Sequence, residues 1–340
     1  MIGKWKTPAF WYDASAPMAA QKAALLSPLA FVYGFAVRQR FDLYYPVPLA
    51  RPVICVGNLT AGGAGKTPVV LSLVDILTAR GYNPHLLSRG YGGSEAGPIQ
   101  VSADRDTAED VGDEALLLAA KAPTWVSRNR PLGAQSAIDT GANIIVMDDG
   151  YQNPSIYKDF SLLVIDGAAG FGNRRLLPAG PLREKLDFSL PRAHAIVILG
   201  EDKTGVTDEL RQYTDAPVLT ARIEPDAHNP DLFGKKVFAF AGIGRPEKFK
   251  ASLAAAGAVI EGWGSFPDHC VYSHEDLQEL MVTAEAAGAM VVTTSKDYVR
   301  LPPDIKPKVH VFGIHVVWDD PEQLTGLIDE AVAVVHGALV

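Results

Sequence analysis

The sequence predicts an α/β fold, a parallel sheet covered by helices on both faces, followed by a second, smaller α/β domain. Two observations carry this class. Short apolar, β-branched runs alternate with longer segments of helical apolar spacing, and the runs are apolar throughout instead of alternating with polar residues. A strand buried on only one face would alternate. The third observation is a break: a Pro- and Asn-containing stretch, Glu224 to Asp231, separates two such α/β blocks.

The elements follow in order. PVICVGNL (52–59) reads as a strand, and PVVLSLVDILTARG after a glycine-rich loop reads as a helix stopped by Gly81. NPHLLSRGYGG gives a strand and a glycine turn, VGDEALLLAAKA a helix opening on acids, and TWVS a third strand. The helix PLGAQSAIDTG, the strands NIIVMDDG and FSLLVIDG, a long loop through LLPAGPLRE and the strand AHAIVILG complete the first block. The second runs from near Lys235: KVFAFAGIGRPEKFKASLAAAG, VIEGWGSFPDH, HEDLQELMVTAEAAG, MVVTTSKD and KVHVFGIHVVW. A last helix, roughly Pro321 to Gly337, is expected to return to the first block. The implied division is an N-terminal segment 1–45, a larger domain 46–223, a smaller domain 224–315 with linker strands at its ends, and a C-terminal helix 316–340.

Length and composition limit the function. At roughly 150 residues per domain, 340 residues suit two domains. A hydrophobic content of 48% and a charged content of 21% exclude disorder as a whole-chain reading. The 31 basic against 39 acidic residues give a net charge of −8, which argues against nucleic acid as a partner. Two cysteines, Cys55 and Cys270, make no disulfide framework and fit a reducing cytoplasm.

The N-terminus is the basic exception. Lys4, Lys6, Lys22, Arg38, Arg40 and Arg51 face only Asp13 and Asp42. Between the basic residues, Ala23–Val37 is uncharged; at fifteen residues it is shorter than the roughly 20 that span a bilayer, and Pro28 and Gly34 weaken it as a free-standing helix. Aromatic residues and Asp13 precede it and no clean cleavage site follows, so it is no ordinary signal peptide. Two readings stay open, an interfacial helix on an anionic membrane surface and a buried packing helix.

Chemistry enters at TAGGAGKT, between a strand and a helix. Backbone N–H groups from Thr60, Ala61, Gly62, Gly63, Ala64 and Gly65 can curl round a polyphosphate, Lys66 can reach its β and γ phosphates, and Thr67 can ligate Mg²⁺. The loop departs from the strict G-x-x-x-x-G-K-[ST] pattern only in having Thr60 at the first glycine position. It makes the larger sheet a P-loop NTPase-type sandwich. Asp148 and Asp149 end an apolar strand, where an α/β sheet presents ligand groups, and in a P-loop protein such an Asp holds Mg²⁺. Asp113 and Glu114 open a helix, where the dipole favours ionised carboxylates. His269 lies in a loop of the second domain; Asp268, His269 and Cys270 are adjacent and cannot close on one Zn²⁺.

Taken in order, VGNLTAGGAGKTP, SRGYGG, VGDEALLLA, MDDGYQN, LLPAGPLRE, FPDH and TSKDYVRL closely resemble the tetraacyldisaccharide 4′-kinase family of lipid A synthesis, from about residue 10 to 320. Thr60 matches that family's own loop; Asn153, where the family usually has His, departs from it. The resemblance implies transfer of the ATP γ-phosphoryl group to the 4′-hydroxyl of a tetraacylated glucosamine disaccharide 1-phosphate. It implies peripheral work at the cytoplasmic face of the inner membrane, which gives the N-terminal segment a purpose, and a monomer is favoured. Lys66 and Thr67 would hold ATP and Mg²⁺, Asp113 would be the base with His269 as partner, Asp148 and Asp149 would serve metal and phosphates, and Arg183 and Glu184 would line the site. Two other classes remain. A membrane-associated P-loop ATPase switch would carry a signature lysine before its two glycines, where this chain has Ala61. A P-loop kinase or ligase for a soluble small molecule would have no use for the N-terminal segment.

Overall fold

A computed structural model of the chain describes residues 7–268 and 270–337. Among the described residues, thirteen strands fall into two sheets. The larger holds β1 (Val53–Gly57), β2 (Pro84–Ser88), β3 (Ile99–Gln100), β4 (Thr124–Val126), β5 (Ile144–Asp148), β6 (Phe160–Asp166), β7 (Ala195–Leu199), β8 (Val218–Pro225) and β13 (Ile314–Trp318), in the order β13-β8-β7-β6-β1-β5-β2-β4-β3. Only its two edge pairings are antiparallel, β3 with β4 and β13 with β8. The smaller holds β9 (Lys236–Ala241), β10 (Val259–Ser265), β11 (Met290–Thr294) and β12 (His310–Phe312), all parallel, in the order β10-β9-β11-β12.

The apolar runs explain the larger sheet. Every residue of β1, β2, β5, β6 and β7 is buried, as a strand covered on both faces must be. Helix Lys66–Ala79 lays Val69, Val70, Leu73 and Leu77 on one face, each fully buried and worth about 1.5–3 kcal/mol. The C-terminal helix Pro321–Gly337 joins the same core through Leu324, Ile328 and Val332.

Two sequence readings are refined. KVHVFGIHVVW is two strands in different sheets: it breaks at Gly313, whose N–H donates to Asn229 Oδ1 at 2.7 Å and whose carbonyl accepts from Asn229 Nδ2 at 2.9 Å. Asn229 belongs to the Pro-rich stretch, so both chain crossings between the sheets are tied together. Strand β8 was not read from the sequence, since only alternate residues such as Leu219 and Ala221 are buried there.

The N-terminal helix is longer than its apolar run. It spans Ala19–Leu43, 25 residues, because good helix formers flank the run, and its length and composition alone would suffice to cross a membrane. Pro28 sits inside it and has no N–H to donate to the preceding turn. Its inward face is made of small residues, with Ala19, Ala23 and Ala30 buried; a Cβ on Gly34 would stand 2.5 Å from Leu176 Cδ1. Leu25 and Phe31 are 80% and 74% exposed, and Leu29, Val32 and Phe35 are exposed with them. The helix therefore presents its large apolar side chains outward. That is the reverse of a buried packing helix.

Candidate active site

The phosphate loop runs from the end of β1 into helix Lys66–Ala79. Gly62 and Gly65 hold φ of +110° and +84°, a region costly for side-chain-bearing residues, and a Cβ on Gly65 would meet Leu199 at 2.3 Å. Both turns therefore require glycine. The loop is pinned from outside: Ala61 N–H donates to Pro181 O at 2.8 Å and Arg183 N–H to Leu59 O at 2.8 Å. Its amides sit at the positive end of the helix, a ready anion site.

Lys66 is held in place by its neighbours. Its Nζ donates to Asn58 Oδ1 at 3.1 Å and lies 3.5 Å from Asp149 Oδ1. Asn58 is fully buried, with its Nδ2 on Thr60 O at 2.7 Å and its carbonyl accepting from Gln152 at 3.0 Å. Asn58 and Gln152 are site residues the sequence reading missed, although both fall within quoted motifs.

Asp148 and Asp149 divide their work. Asp148 ends β5, and Asp149 takes a φ of +50°, which turns the chain between them. Burial, with Glu114 and Asp149 beside it, pushes the Asp148 carboxyl up to about 7 against the pull of Lys66 and Arg130. Its Oδ1 is buried with no hydrogen-bond partner. Burial alone would raise Asp149 as well, yet Lys66 and Arg183 outweigh it and hold that carboxyl below its ordinary value. Arg183 Nη1 donates to both Asp149 oxygens, at 2.9 and 3.0 Å.

An orphaned carboxylate oxygen beside a phosphate loop fits a hard cation, and the residues expected to hold one, Thr67, Asp148 and Asp149, all offer oxygen. Among the described residues no three His, Cys, Asp or Glu side chains converge as a closed cage. That suits Mg²⁺, which keeps one or two carboxylates and completes its shell with phosphates and water.

Asp113 opens helix Asp113–Ala119 and is 4% exposed, its Oδ1 accepting from the Glu114 N–H at 2.9 Å. The smaller sheet reaches it. Helix Ser295–Tyr298, after β11, brings Lys296 Nζ to 3.9 Å and the adjacent Arg300 Nε to 3.7 Å from Asp113 Oδ2. Neither residue was singled out from the sequence, because the contact exists only once the two sheets meet. His269 lies outside the described residues; its neighbour Asp268 stands 3.8 Å from Lys296.

Arg183 and Glu184 part company. Arg183 faces Asp149, whereas Glu184 is buried against Arg192, whose guanidinium lies 4.3 Å from the ring centroids of Phe41 and Phe188. Burial raises the Glu184 carboxyl above its ordinary value. Glu184 is thus packed through Arg192 against Phe41 of the N-terminal helix.

A second bridge joins the sheets. Asp166, at the end of β6 and 7% exposed, pairs with Arg245, just before helix Pro246–Ala255, and with Lys248 of that helix, the latter at 2.8 Å. Asp166→Asn would leave both cations without their carboxylate, yet they are partly solvated, so a loss of about 1–2 kcal/mol is expected. Thermal unfolding checks this, and an unchanged midpoint would show that the bridge contributes nothing to stability.

Known proteins resemble this chain over nearly its whole length. A family model described as tetraacyldisaccharide-1-P 4′-kinase matches residues 22–333. The tetraacyldisaccharide 4′-kinase of Paramagnetospirillum magneticum is 50% identical over 324 residues, covering 95% of this chain and 98% of its own. That of Rhodospirillum rubrum is 50% identical over 330 residues, covering 96% and 98%. The crystal structure of LpxK from Aquifex aeolicus in complex with ATP superposes with a TM-score of 0.75 at 27% identity, covering 91% of this chain and 99% of that one. With a phosphate loop, paired strand-end carboxylates and a family match over nearly its whole length, this chain belongs to the tetraacyldisaccharide-1-P 4′-kinase family.

Proposed function

We propose that the chain transfers the γ-phosphoryl group of ATP to the 4′-hydroxyl of a tetraacyl glucosamine disaccharide 1-phosphate, a lipid A precursor, at the cytoplasmic face of the inner membrane. The observation that carries this reading is the cluster of Lys66, Asp148 and Asp149 at the phosphate loop, with Glu114, the neighbour of Asp113, acting on Asp148, in a chain whose relatives bear that kinase name. Lys66 and the loop amides bind and orient the triphosphate. Thr67, Asp148 and Asp149 would hold Mg²⁺, which when bound would supply positive charge against the triphosphate. Asp113, with His269 as its partner, takes the acceptor proton late in the transfer. The division at 1–45, 46–223, 224–315 and 316–340 serves this reading as a membrane segment, a nucleotide domain, a domain that completes the site and a segment that returns to the core, although its last two bounds fall inside β8 and β13 of the larger sheet.

The alternative acceptor is a soluble small molecule. Turnover with the tetraacyl disaccharide 1-phosphate in mixed micelles, compared with the same disaccharide stripped of its acyl chains, separates the two. A strong preference for the acylated acceptor supports the lipid kinase; equal turnover of both contradicts it.

The outward apolar face of the N-terminal helix supports membrane docking. Residues 1–51 carry a charge of +4, and each basic residue adds up to about 1 kcal/mol near an anionic surface. Replacing Leu25, Phe31 and Phe35 together by serine removes three exposed apolar side chains without touching the inward face. At about 1.5 kcal/mol or more per buried side chain, liposome recovery should fall at least tenfold. Unchanged co-sedimentation would assign the helix another role.

A further inference from the structure

A cavity of about 240 Å³ lies beside the end of the N-terminal helix, where Phe41, Tyr44, Tyr151 and Tyr157 give it an aromatic wall. Lys158, Ser161, Arg192 and His194 supply its polar groups. Ser161 is the second residue of β6 and His194 directly precedes β7, so these groups stand at the amino ends of the two strands. The phosphate loop leaves the carboxyl end of β1, which runs parallel to β6. The cavity is therefore separate from the reacting groups. It is also smaller than the roughly 300–1,000 Å³ of pockets that take drug-sized ligands, which suits a headgroup and not an acylated disaccharide.

The polar groups are donors. Lys158 Nζ gives one of its three protons to Asn153 O at 2.5 Å. His194 Nδ1 accepts from the Ser161 N–H at 2.9 Å, so the proton of the neutral ring sits on Nε2. Arg192 uses Nε on Phe188 O at 3.2 Å and Nη2 on Glu184, two of its five N–H donors. Among the described residues that line the cavity none is a carboxylate. The nearby acids are accounted for: Glu184 is the buried partner of Arg192, and Asp159 accepts from the Val53 N–H at 2.8 Å. Lys158 and Arg192 against Glu184 leave a surplus of positive charge. Donors of one sign beneath an aromatic wall suit an anion that carries an apolar attachment.

We propose that this cavity binds the phosphodiester headgroup of an anionic membrane phospholipid. The proposal rests on the docking role given above to the N-terminal helix. That helix presents Leu25, Phe31 and Phe35 outward, and at its end Leu43 and Tyr45 are 75% and 93% exposed. Exposed tyrosines suit the headgroup zone, so a helix lying in the interface brings the cavity to the depth of the lipid phosphates. The phosphate takes hydrogen bonds from Lys158 and His194 with Arg192 adding charge, the rest of the headgroup lies against Tyr44 and Tyr157, and the acyl chains stay in the bilayer. One bound lipid then fixes the end of a helix that its apolar face alone would leave free to slide.

The test titrates the full chain with monomeric dihexanoyl phosphatidylglycerol, with dihexanoyl phosphatidylcholine and inorganic phosphate as comparison probes. Wild type is expected to bind the anionic lipid about tenfold or more tightly than the zwitterionic one, and Lys158→Gln to lose about tenfold or more of that affinity, the scale of one hydrogen bond to a charged group. Tyr157→Glu, at a residue 54% exposed, sets a carboxylate in the wall and should lose as much, which keeps the test open if Lys158→Gln does not fold. Tyr45→Glu adds the same charge outside the lining and should bind as wild type does. Equal binding of the two lipids, unchanged affinity in Tyr157→Glu, or an equal loss in Tyr45→Glu overturns the proposal. Displacement of the lipid by inorganic phosphate at equal concentration also overturns it, in favour of a bare anion site. Liposome recovery is measured on the same proteins. If wild type does not co-sediment with liposomes, the docking role fails on its own, while the short-chain lipid still reads the cavity.

Discussion

Lys66→Ala is expected to cost at least about 10³-fold in turnover at saturating ATP and Mg²⁺. The ammonium sits on a rigid mount, donating to a fully buried Asn58 and lying 3.5 Å from Asp149. A preorganised cation is worth several kcal/mol where charge develops, since little reorganises at the moment of reaction. Nearby Arg183 does not replace it, because its Nη1 is already bonded to both Asp149 oxygens. Removing Lys66 also leaves the buried Asp148 and the half-buried Asp149 with less compensation. Steady-state turnover with ATP affinity measured separately checks this, and near-normal kcat would remove the loop assignment.

Asp113→Asn should lower kcat by about 10²- to 10⁴-fold, the usual range for a positioned base. Its place at a helix start, with Lys296 and Arg300 at 3.9 and 3.7 Å, fixes the carboxyl for a loose transition state in which the proton moves late. If Asp113 and His269 act as one unit, His269→Ala costs a similar factor and the double variant is little worse than the poorer single one. Fully multiplicative losses would refute the pair. A nearly wild-type Asp113→Asn enzyme would move the role of base to Asp148 or Asp149.

How much of this was legible in the sequence depends on how local the information is. The phosphate loop, the fully buried strands and the helix that starts at Asp113 are each written in fewer than twenty consecutive residues, as glycine placement, apolar runs and an acidic helix start. Groups that meet only through tertiary contact were not. Lys296 and Arg300 sit in TSKDYVRL, which drew notice as a motif, but nothing local says that this turn faces Asp113. The Asp166 bridge to Arg245 and Lys248 is invisible for the same reason. Glu184 shows the same limit: the GPLRE motif names it beside Arg183, but its pairing with Arg192 under the N-terminal helix depends on tertiary contact. The N-terminal helix was undercounted because the apolar run, and not helix propensity, set its expected length.

The central claim is that this chain phosphorylates one particular hydroxyl of a lipid-linked sugar. The direct measurement incubates the purified protein with γ-labelled ATP, Mg²⁺ and tetraacyl disaccharide 1-phosphate, then maps the new phosphate by phosphorus–proton correlation NMR. One phosphate per acceptor, coupled to the proton at position 4′, is the predicted result. Label released only as inorganic phosphate, or a phosphate at any other position, would contradict the account.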